Sequence, residues 1–93
     1  MKPEWQHQTK LQQKYLAVME QYKGQNDHHT GVRAYEMLPD GIILAFQDHS
    51  KYLYDYDKPG KHHVEQMKRL AKAGSGLTTY VNQHVRENYK RKL

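Results

Sequence analysis

Two turn sequences close together in the middle of the chain constrain its fold more than any other feature. They are Pro39-Asp40-Gly41 and the polar run of residues 48–50, and they divide residues 32–57 into three apolar or alternating stretches. Proline presets one torsion of a turn, aspartate hydrogen-bonds the local backbone, and glycine takes the positive φ that closes such hairpins. The sequence therefore predicts a three-stranded antiparallel meander, with strands at residues 32–38, 42–47 and 51–57.

The length of the second turn decides which side chains share a face of this meander. A three-residue turn sets the apolar residues of the second strand against the tyrosines of the third and builds one apolar face. The predicted pairs are Phe46 with Tyr52, Leu44 with Tyr54, and Ile42 with Tyr56. A two-residue or four-residue turn would instead put Leu53 beside Phe46; we prefer the first, because polar side chains then collect on the other face. On the first strand, Tyr35 and Met37 should face inward, since the opposite parity would bury Glu36.

Residues 1–24 predict an amphipathic helix. After Pro3, apolar side chains recur at spacings of three and four until Gly24, namely Leu11, Tyr15, Val18, Met19 and Tyr22. This stripe could cover the domain's own sheet or pair with a second copy of itself. Residues 25–31 combine Asn, Asp, Thr and Gly without periodicity and predict a flexible linker.

Two more helices are predicted after the strands. Lys58-Pro59-Gly60 breaks the sheet, and a first apolar stripe then ends at Ala73-Gly74. Ser75 or its neighbour can cap the second helix. The two stripes are Val64, Met67, Leu70 and Ala71, and then Leu77, Tyr80, Val81, His84 and Val85. The predicted fold class is α+β: the N-terminal helix, the linker, and a domain over residues 32–93 whose meander carries two helices on one face and leaves the other polar.

Charge is distributed unevenly along the chain. Residues 34–57 carry one lysine against five acids, whereas residues 58–93 carry nine lysines and arginines against two acids. Such a basic region favours a polyanionic partner, although the same charges can simply solvate exposed helix faces. Contacts to phosphates would make the binding shape-based and salt-sensitive. The predicted nucleic-acid-binding residues are Lys68, Arg69, Lys72, Arg86, Lys90, Arg91 and Lys92.

The tyrosines and histidines each admit two interpretations. Tyr52, Tyr54 and Tyr56 could stack nucleobases, but the predicted register makes them part of the core, and we favour the core. The seven histidines include the doublets His28-His29 and His62-His63. No two histidines stand four residues apart, as a metal site on one helix face would need. We expect the histidines to make the charge pH-sensitive, because imidazole titrates near neutral pH.

The sequence contains no motif typical of cysteine chemistry, of catalysis, of secretion or of membrane insertion. Without cysteine there is no disulfide framework, thiolate metal site or thiol nucleophile. Paired carboxylates, a nucleophile beside a base and a glycine-rich phosphate loop are also absent, since Ala73-Gly74-Ser75-Gly76 is better explained as a helix cap. The N-terminus lacks the apolar region of a signal peptide, and no segment is as long and apolar as a membrane span. We expect a cytoplasmic, non-enzymatic protein without a cofactor, a metal or a small-molecule substrate.

From residue 32 to residue 89, the order of elements and several local strings resemble the KTSC domain. The strings are Leu44-Ala45-Phe46, Tyr52-Leu53-Tyr54, Ser75-Gly76, Tyr80-Val81-Asn82 and Val85-Arg86. This family is named for its occurrence at the C-terminus of some lysyl-tRNA synthetases, and it also includes short bacterial and phage proteins. Similarity to it implies RNA binding without established catalytic residues. The chain departs from the family pattern by lacking the usual glycine at residues 48–50 and by having Ser75-Gly76 in place of serine-x-glycine, and the N-terminal helix lies outside the resemblance.

Two function classes follow from these patterns. The first is RNA binding through a basic C-terminal helical face, which rests on the charge distribution and on the resemblance. The alternative is a homo-oligomerising or protein–protein interaction module of bacterial or phage origin. It rests on the amphipathic N-terminal helix, through which the chain could self-associate, and on an incompletely covered sheet.

Overall fold

The computed structural model describes residues 19–22 and 31–93. Over these residues the chain forms one antiparallel sheet of five strands in the order β1-β2-β3-β4-β5. The strands are β1 (Glu20–Gln21), β2 (Val32–Leu38), β3 (Gly41–Phe46), β4 (Lys51–Asp55) and β5 (Arg91–Lys92). Between β4 and β5 lie the helices α1 (Lys61–Ala73) and α2 (Leu77–Tyr80), and α2 continues into a π-helical segment (Val81–Val85).

The predicted three-stranded sheet is wrong, because a short strand adds to each of its edges. At one edge, Glu20–Gln21 pairs with β2, where the sequence predicted the end of an N-terminal helix. At the other edge, Arg91–Lys92 pairs with β4 beyond the last helix. An edge strand of two residues satisfies backbone groups that the meander leaves open, but it is too short to show a period in the sequence. The remainder of the predicted helix and nearly all of the predicted linker, in residues 1–18 and 23–30, lie outside the described residues.

The hairpin between β3 and β4 keeps the predicted face but not the predicted pairs. Tyr54 lies opposite Ile42 and Tyr52 opposite Leu44, so the pairing is displaced by two residues. The turn has three residues, as predicted, but it occupies residues 47–49. Moving a turn by one residue shifts the pairing by two, which leaves the same side chains on the same face.

The inward parity predicted for the first strand of the meander, β2, is confirmed. Tyr35 and Met37 lie opposite Leu44 and Ile42 on the apolar face, where they pack against the core. A β-bulge after Val32 shifts the register locally, so that this valine also turns inward and is 2% exposed. Because a bulge adds one residue to a strand, it brings to the core a side chain that strict alternation would have placed on the other face.

The core lies between one face of the sheet and the helices. Its largest fully buried side chains are Val32, Ile42, Leu44, Phe46, Tyr54, Val64, Met67, Leu77, Val81 and Val85. Both predicted helical stripes contribute, although Leu70 and Tyr80 are half-buried and His84 is exposed. The second helix begins after Gly76, the neighbour of Ser75, and no side chain caps it. Among the described residues, no helix is both long and apolar enough to span a membrane.

Long-range hydrogen bonds tie the helical layer to the sheet. They run from Val32 N to Thr78 Oγ1 (3.1 Å), from Leu77 N to the Tyr22 hydroxyl (2.9 Å), and from the Tyr54 hydroxyl to Arg86 O (3.2 Å). The first two connect α2 with the edge formed by β1 and β2, and the third joins β4 to the residue that follows the π-helical segment. These bonds fix where the C-terminal residues emerge beside β4.

The positive φ that turn chemistry predicts for glycine is taken by a histidine in this meander. Gly41 does not take a positive φ, so that prediction is wrong. A Cβ at this position would lie 2.8 Å from Tyr54 O, and glycine is therefore required by the close approach of β4. The positive φ of the second hairpin falls instead on His49, at 72°.

Candidate nucleic-acid interface

The outward face of α1 carries the first group of predicted basic residues. Val64 and Met67 turn the opposite face of this helix into the core, which leaves Arg69 and Lys72 exposed. The Arg69 guanidinium donates to the Gln66 side chain one turn away. Lys72 lies in the last turn, where its charge complements the carboxyl end of the helix. Both cations are open to a ligand on the solvent side of α1.

One cation on α1 was missed by the sequence argument. Lys61 is exposed and lines the same shallow depression as Lys68, Arg69 and Lys72. Its Nζ lies 5.7 Å from the centre of the Tyr56 ring. Lys61 precedes Lys68 by seven residues and Lys72 by eleven, spacings that return to the same side of a helix. That spacing was the signal that could have found it.

Strand β5 carries the second group. Arg91 and Lys92 are both exposed, because β5 is the outermost strand of the sheet beside β4. Lys92 lies on the face of Tyr52, with its Nζ 5.8 Å from the centre of that ring. The sequence predicted these two cations at the end of a helix; the structure presents them on an extended segment, where alternate side chains point to opposite faces.

Lys68 is largely occupied by contacts within the chain. Its Nζ donates to Leu38 O at 2.6 Å and to Pro39 O at 3.3 Å, at the turn between β2 and β3. The Glu65 carboxylate lies 3.6 Å from the same nitrogen. Only 16% of the side chain is exposed. Lys68 therefore ties α1 to the hairpin, a role that the sequence did not indicate.

Arg86 and Lys90 also make contacts within the chain. The Arg86 guanidinium lies 4.3 Å from the centre of the Phe46 ring and donates to Asn82 Oδ1 at 2.9 Å. Lys90 Nζ lies 2.6 Å from Asp57 Oδ2. This hydrogen bond and the charge of Lys90 lower the pKa of Asp57, and the same contact raises the pKa of Lys90. Both cations have partners within the chain.

The segment formed by Tyr56 and Asp57 contacts lysines of α1 on one side and the lysine that precedes β5 on the other. On one side, Lys61 and Lys68 lie over the Tyr56 ring, at 5.7 and 6.0 Å from its centre. On the other side, Lys90, which directly precedes β5, pairs with Asp57. Lysines of α1 and the residue that precedes β5 therefore flank one short segment at the end of β4, whereas Arg91 and Lys92 lie farther along, opposite Leu53 and Tyr52.

The tyrosine row belongs to the core and its edges, as the favoured interpretation predicted. Tyr54 is 0% exposed, and burial raises the pKa of its hydroxyl. The half-buried Tyr52 ring packs against Phe46 and Tyr89, with centroid distances of 5.7 and 4.5 Å. The Tyr56 hydroxyl donates to Glu65 at 2.6 Å, and this bond raises the pKa of the tyrosine and lowers that of Glu65. The structure does not offer these rings as a row of open stacking surfaces.

Histidines meet tyrosine at the junction of α1 with α2. His63 Nδ1 lies 2.6 Å from the Tyr80 hydroxyl, and the His84 ring stacks 6.3 Å from the His63 ring. Burial raises the pKa of Tyr80, so its hydroxyl stays protonated and can donate to the imidazole. Within residues 19–22 and 31–93, no group of three or more histidines and carboxylates is arranged to hold a metal ion. The junction therefore links two helices through a hydrogen bond and ring packing.

Comparison of the chain with protein-family models, with curated protein sequences and with solved structures returned no match. The arguments for function therefore rest on the fold, on the position of the basic residues and on the resemblance described above.

Proposed function

We propose that this protein is a non-catalytic RNA-binding protein that contacts the phosphate backbone through a basic surface of α1 and β5. The basic surface consists of Lys61, Arg69, Lys72 and Lys92; Arg91 is left out because it pairs with Leu53 on the other face of the sheet. One observation carries the proposal: all four cations are exposed, and none forms a salt bridge with another described residue. Cations without an acidic partner can bind phosphate without first breaking an ion pair.

The position of Tyr56 and Asp57 between α1 and the residue that precedes β5 supports one surface in place of two separate patches. Lysine beside the Tyr56 ring and lysine beside Asp57 bring α1 and the start of β5 to the same end of β4. Lys92 lies farther along β5, opposite Tyr52, so a polyanion that runs from α1 along β5 can meet cations from both elements. Two acidic side chains at this end of β4, Asp57 and Glu65, already accept hydrogen bonds from Lys90 and Tyr56.

Contact with phosphates defines the expected mode of binding. Because the tyrosines of residues 19–22 and 31–93 are packed in the core or at its edges, we expect base stacking to contribute little and sequence preference to be weak. Phosphate contacts release counterions, so the affinity should fall steeply with salt. The resemblance of residues 32–89 to the KTSC domain supports RNA over DNA as the polyanion.

The experiment is a titration of labelled, mixed-sequence single-stranded RNA with the full chain over a series of salt concentrations. Each phosphate contact contributes about −0.7 to the slope of log Kobs against log salt for a single strand. Four cations therefore give a slope no steeper than about −2.8 from this surface. Lys72→Ala and Lys92→Ala should each weaken binding at low salt and each make the slope less steep by about 0.7.

Lys51→Ala is the matched control, because it removes the same type of side chain and the same charge. Lys51 is exposed but pairs with Ala45 and therefore lies on the sheet face opposite Lys92, which pairs with Tyr52. We expect RNA affinity to change less than about two-fold in this variant. Equal losses for all three lysines would show attraction by net charge alone and contradict a defined surface. Absence of binding by the unsubstituted chain at low salt would overturn the proposal.

A further inference from the structure

The face of the sheet opposite the helices carries apolar residues. Strand pairing places Glu36, Ile43, Leu53 and Arg91 in one row across β2 to β5, and the pairing of β1 extends this row to Met19. A second row consists of Gln21, Ala34, Ala45, Lys51 and Leu93. These ten residues are called the open face, because among the described residues both helices pack on the other side of the sheet.

The open face combines buried, half-buried and exposed side chains. Ala34 and Ala45 are buried, at 3% and 0% exposure, and Ile43, Leu53 and Met19 are half-buried. Leu93 is 56% exposed and is the largest exposed apolar side chain of the described chain. Met19, Glu36, Ile43, Lys51 and Leu93 line one shallow hollow. An apolar centre rimmed by charged side chains is the usual composition of a protein–protein contact.

The charges on the open face are complementary to one another across its centre. The acid Glu36 stands on β2, on one side of Ile43, and the bases Lys51 and Arg91 stand on β4 and β5, on the other side. A two-fold axis parallel to β3 would lay β2 of one copy over β4 of another. Each Glu36 would then face β4 of the other copy, the strand that carries Lys51, and every contact would occur twice.

We propose that a second copy of this chain packs on the open face, sheet against sheet, around this two-fold axis. Ile43 of one copy then meets Ile43 of the other at the centre. Leu93, at the rim on β5's side, lies over the β1 edge of the second copy, where Met19 lines the hollow. Two sheets that pack face to face lie about 10 Å apart with nearly aligned strands, which suits this arrangement of apolar centre and charged rim. The proposal does not depend on RNA binding.

The test is sedimentation equilibrium of the full chain without RNA, from about 1 to 500 µM, a range that covers weak dimers. We expect a mass that rises with concentration toward that of a dimer. Glu36→Lys and Lys51→Glu should each weaken association by more than about ten-fold, because each sets like charges against one another across the interface. Combining both substitutions in one chain exchanges the charges and should restore the dimer. An equimolar mixture of the two single variants should restore it as well.

Each outcome decides the proposal. Restoration by the double variant and by the mixture would support it, and would also show that the single variants are folded. A monomeric mass at all concentrations would overturn it. Association that is unchanged in both charge-reversal variants but lost on Leu11→Asp and Tyr15→Asp substitution would also overturn the proposal. That result would locate the contact in the first 18 residues. Loss of RNA binding with the dimer intact would affect the proposed function alone.

Discussion

Replacing Lys68 by methionine separates the structural role of this lysine from the RNA-binding role that the sequence predicted. Methionine keeps an unbranched apolar side chain of similar length, so the packing of the stem is largely preserved. What is lost is the ammonium group, which donates to Leu38 O at 2.6 Å and to Pro39 O at 3.3 Å. The substitution therefore removes the link between α1 and the hairpin of β2 and β3.

The expected cost follows from these two bonds and from their burial. A hydrogen bond from a charged donor contributes about 1.5 to 3 kcal/mol to stability. The 3.3 Å bond is the weaker one, and water reaches part of the side chain, which is 16% exposed. The salt bridge to Glu65, at 3.6 Å and half exposed, adds little. We expect the free energy of unfolding to fall by about 1 to 2 kcal/mol.

The assay is thermal and urea unfolding of the full chain, followed by circular dichroism. For a domain of this size, about 1 to 2 kcal/mol corresponds to a decrease in Tm of roughly 5 to 15 °C. Lys72→Met is the matched control, because it changes the same residue on the same helix at an exposed position. Its unfolding free energy should change by less than about 0.5 kcal/mol. RNA binding should show the opposite order, with the larger loss in Lys72→Met.

Two results would refute this reasoning. If Lys68→Met were as stable as Lys72→Met, the bonds to the hairpin would contribute nothing measurable. If Lys68→Met folded normally but lost more RNA affinity than Lys72→Met, Lys68 would belong to the interface, as the sequence predicted.

Three further substitutions test the backbone and the ion pair. Gly41→Ala should destabilise the protein by about 1 to 3 kcal/mol in urea unfolding, because its Cβ would lie 2.8 Å from Tyr54 O; unchanged stability would contradict this close approach. His49→Gly should raise the unfolding free energy by up to about 1 kcal/mol, since a non-glycine residue at a φ of 72° is strained, and a decrease would count against that strain. Asp57→Asn tests the pH dependence of the pair with Lys90. Because the folded-state pKa of Asp57 is lowered, the pair stabilises the fold above about pH 4 and the stabilisation fades as pH falls below its ordinary pKa. The stability difference between variant and parent should shrink over that range, and a difference independent of pH would argue against it.

Much of the sheet could be predicted from local pattern. The first strand of the meander was predicted with its observed bounds, Val32–Leu38, and the inward side of all three strands was correct. The face on which each side chain lies was predicted correctly although the turn was misplaced by one residue. This is because that error shifts the pairing by two residues, and side chains alternate with a period of two. The residue pairs between β3 and β4 were predicted wrongly, because the second turn begins at residue 47, one residue earlier than predicted.

The sequence indicated which basic residues the candidate site contains, but not which of them are occupied by contacts within the chain. The sequence shows that residues 58–93 are basic, and it places Arg69 and Lys72 on the outward side of a helix. It does not show that Lys68 reaches Leu38, thirty residues earlier in the chain, or that Lys90 pairs with Asp57. These contacts join elements that are distant in sequence, and a lysine that has a partner looks the same in sequence as one that has none.

The sequence by itself determined which residues form the central strands and α1, which faces they bury, and where positive charge is concentrated. These properties follow from local geometry: the alternation of a strand, the 3.6-residue period of a helix and the conformational preferences of turn residues. Only the tertiary structure decided that Glu20–Gln21 and Arg91–Lys92 complete the sheet, and which cations remain exposed. Two-residue edge strands arise because the backbone groups of β2 and β4 need hydrogen-bond partners, and this requirement exists only once the central sheet has formed.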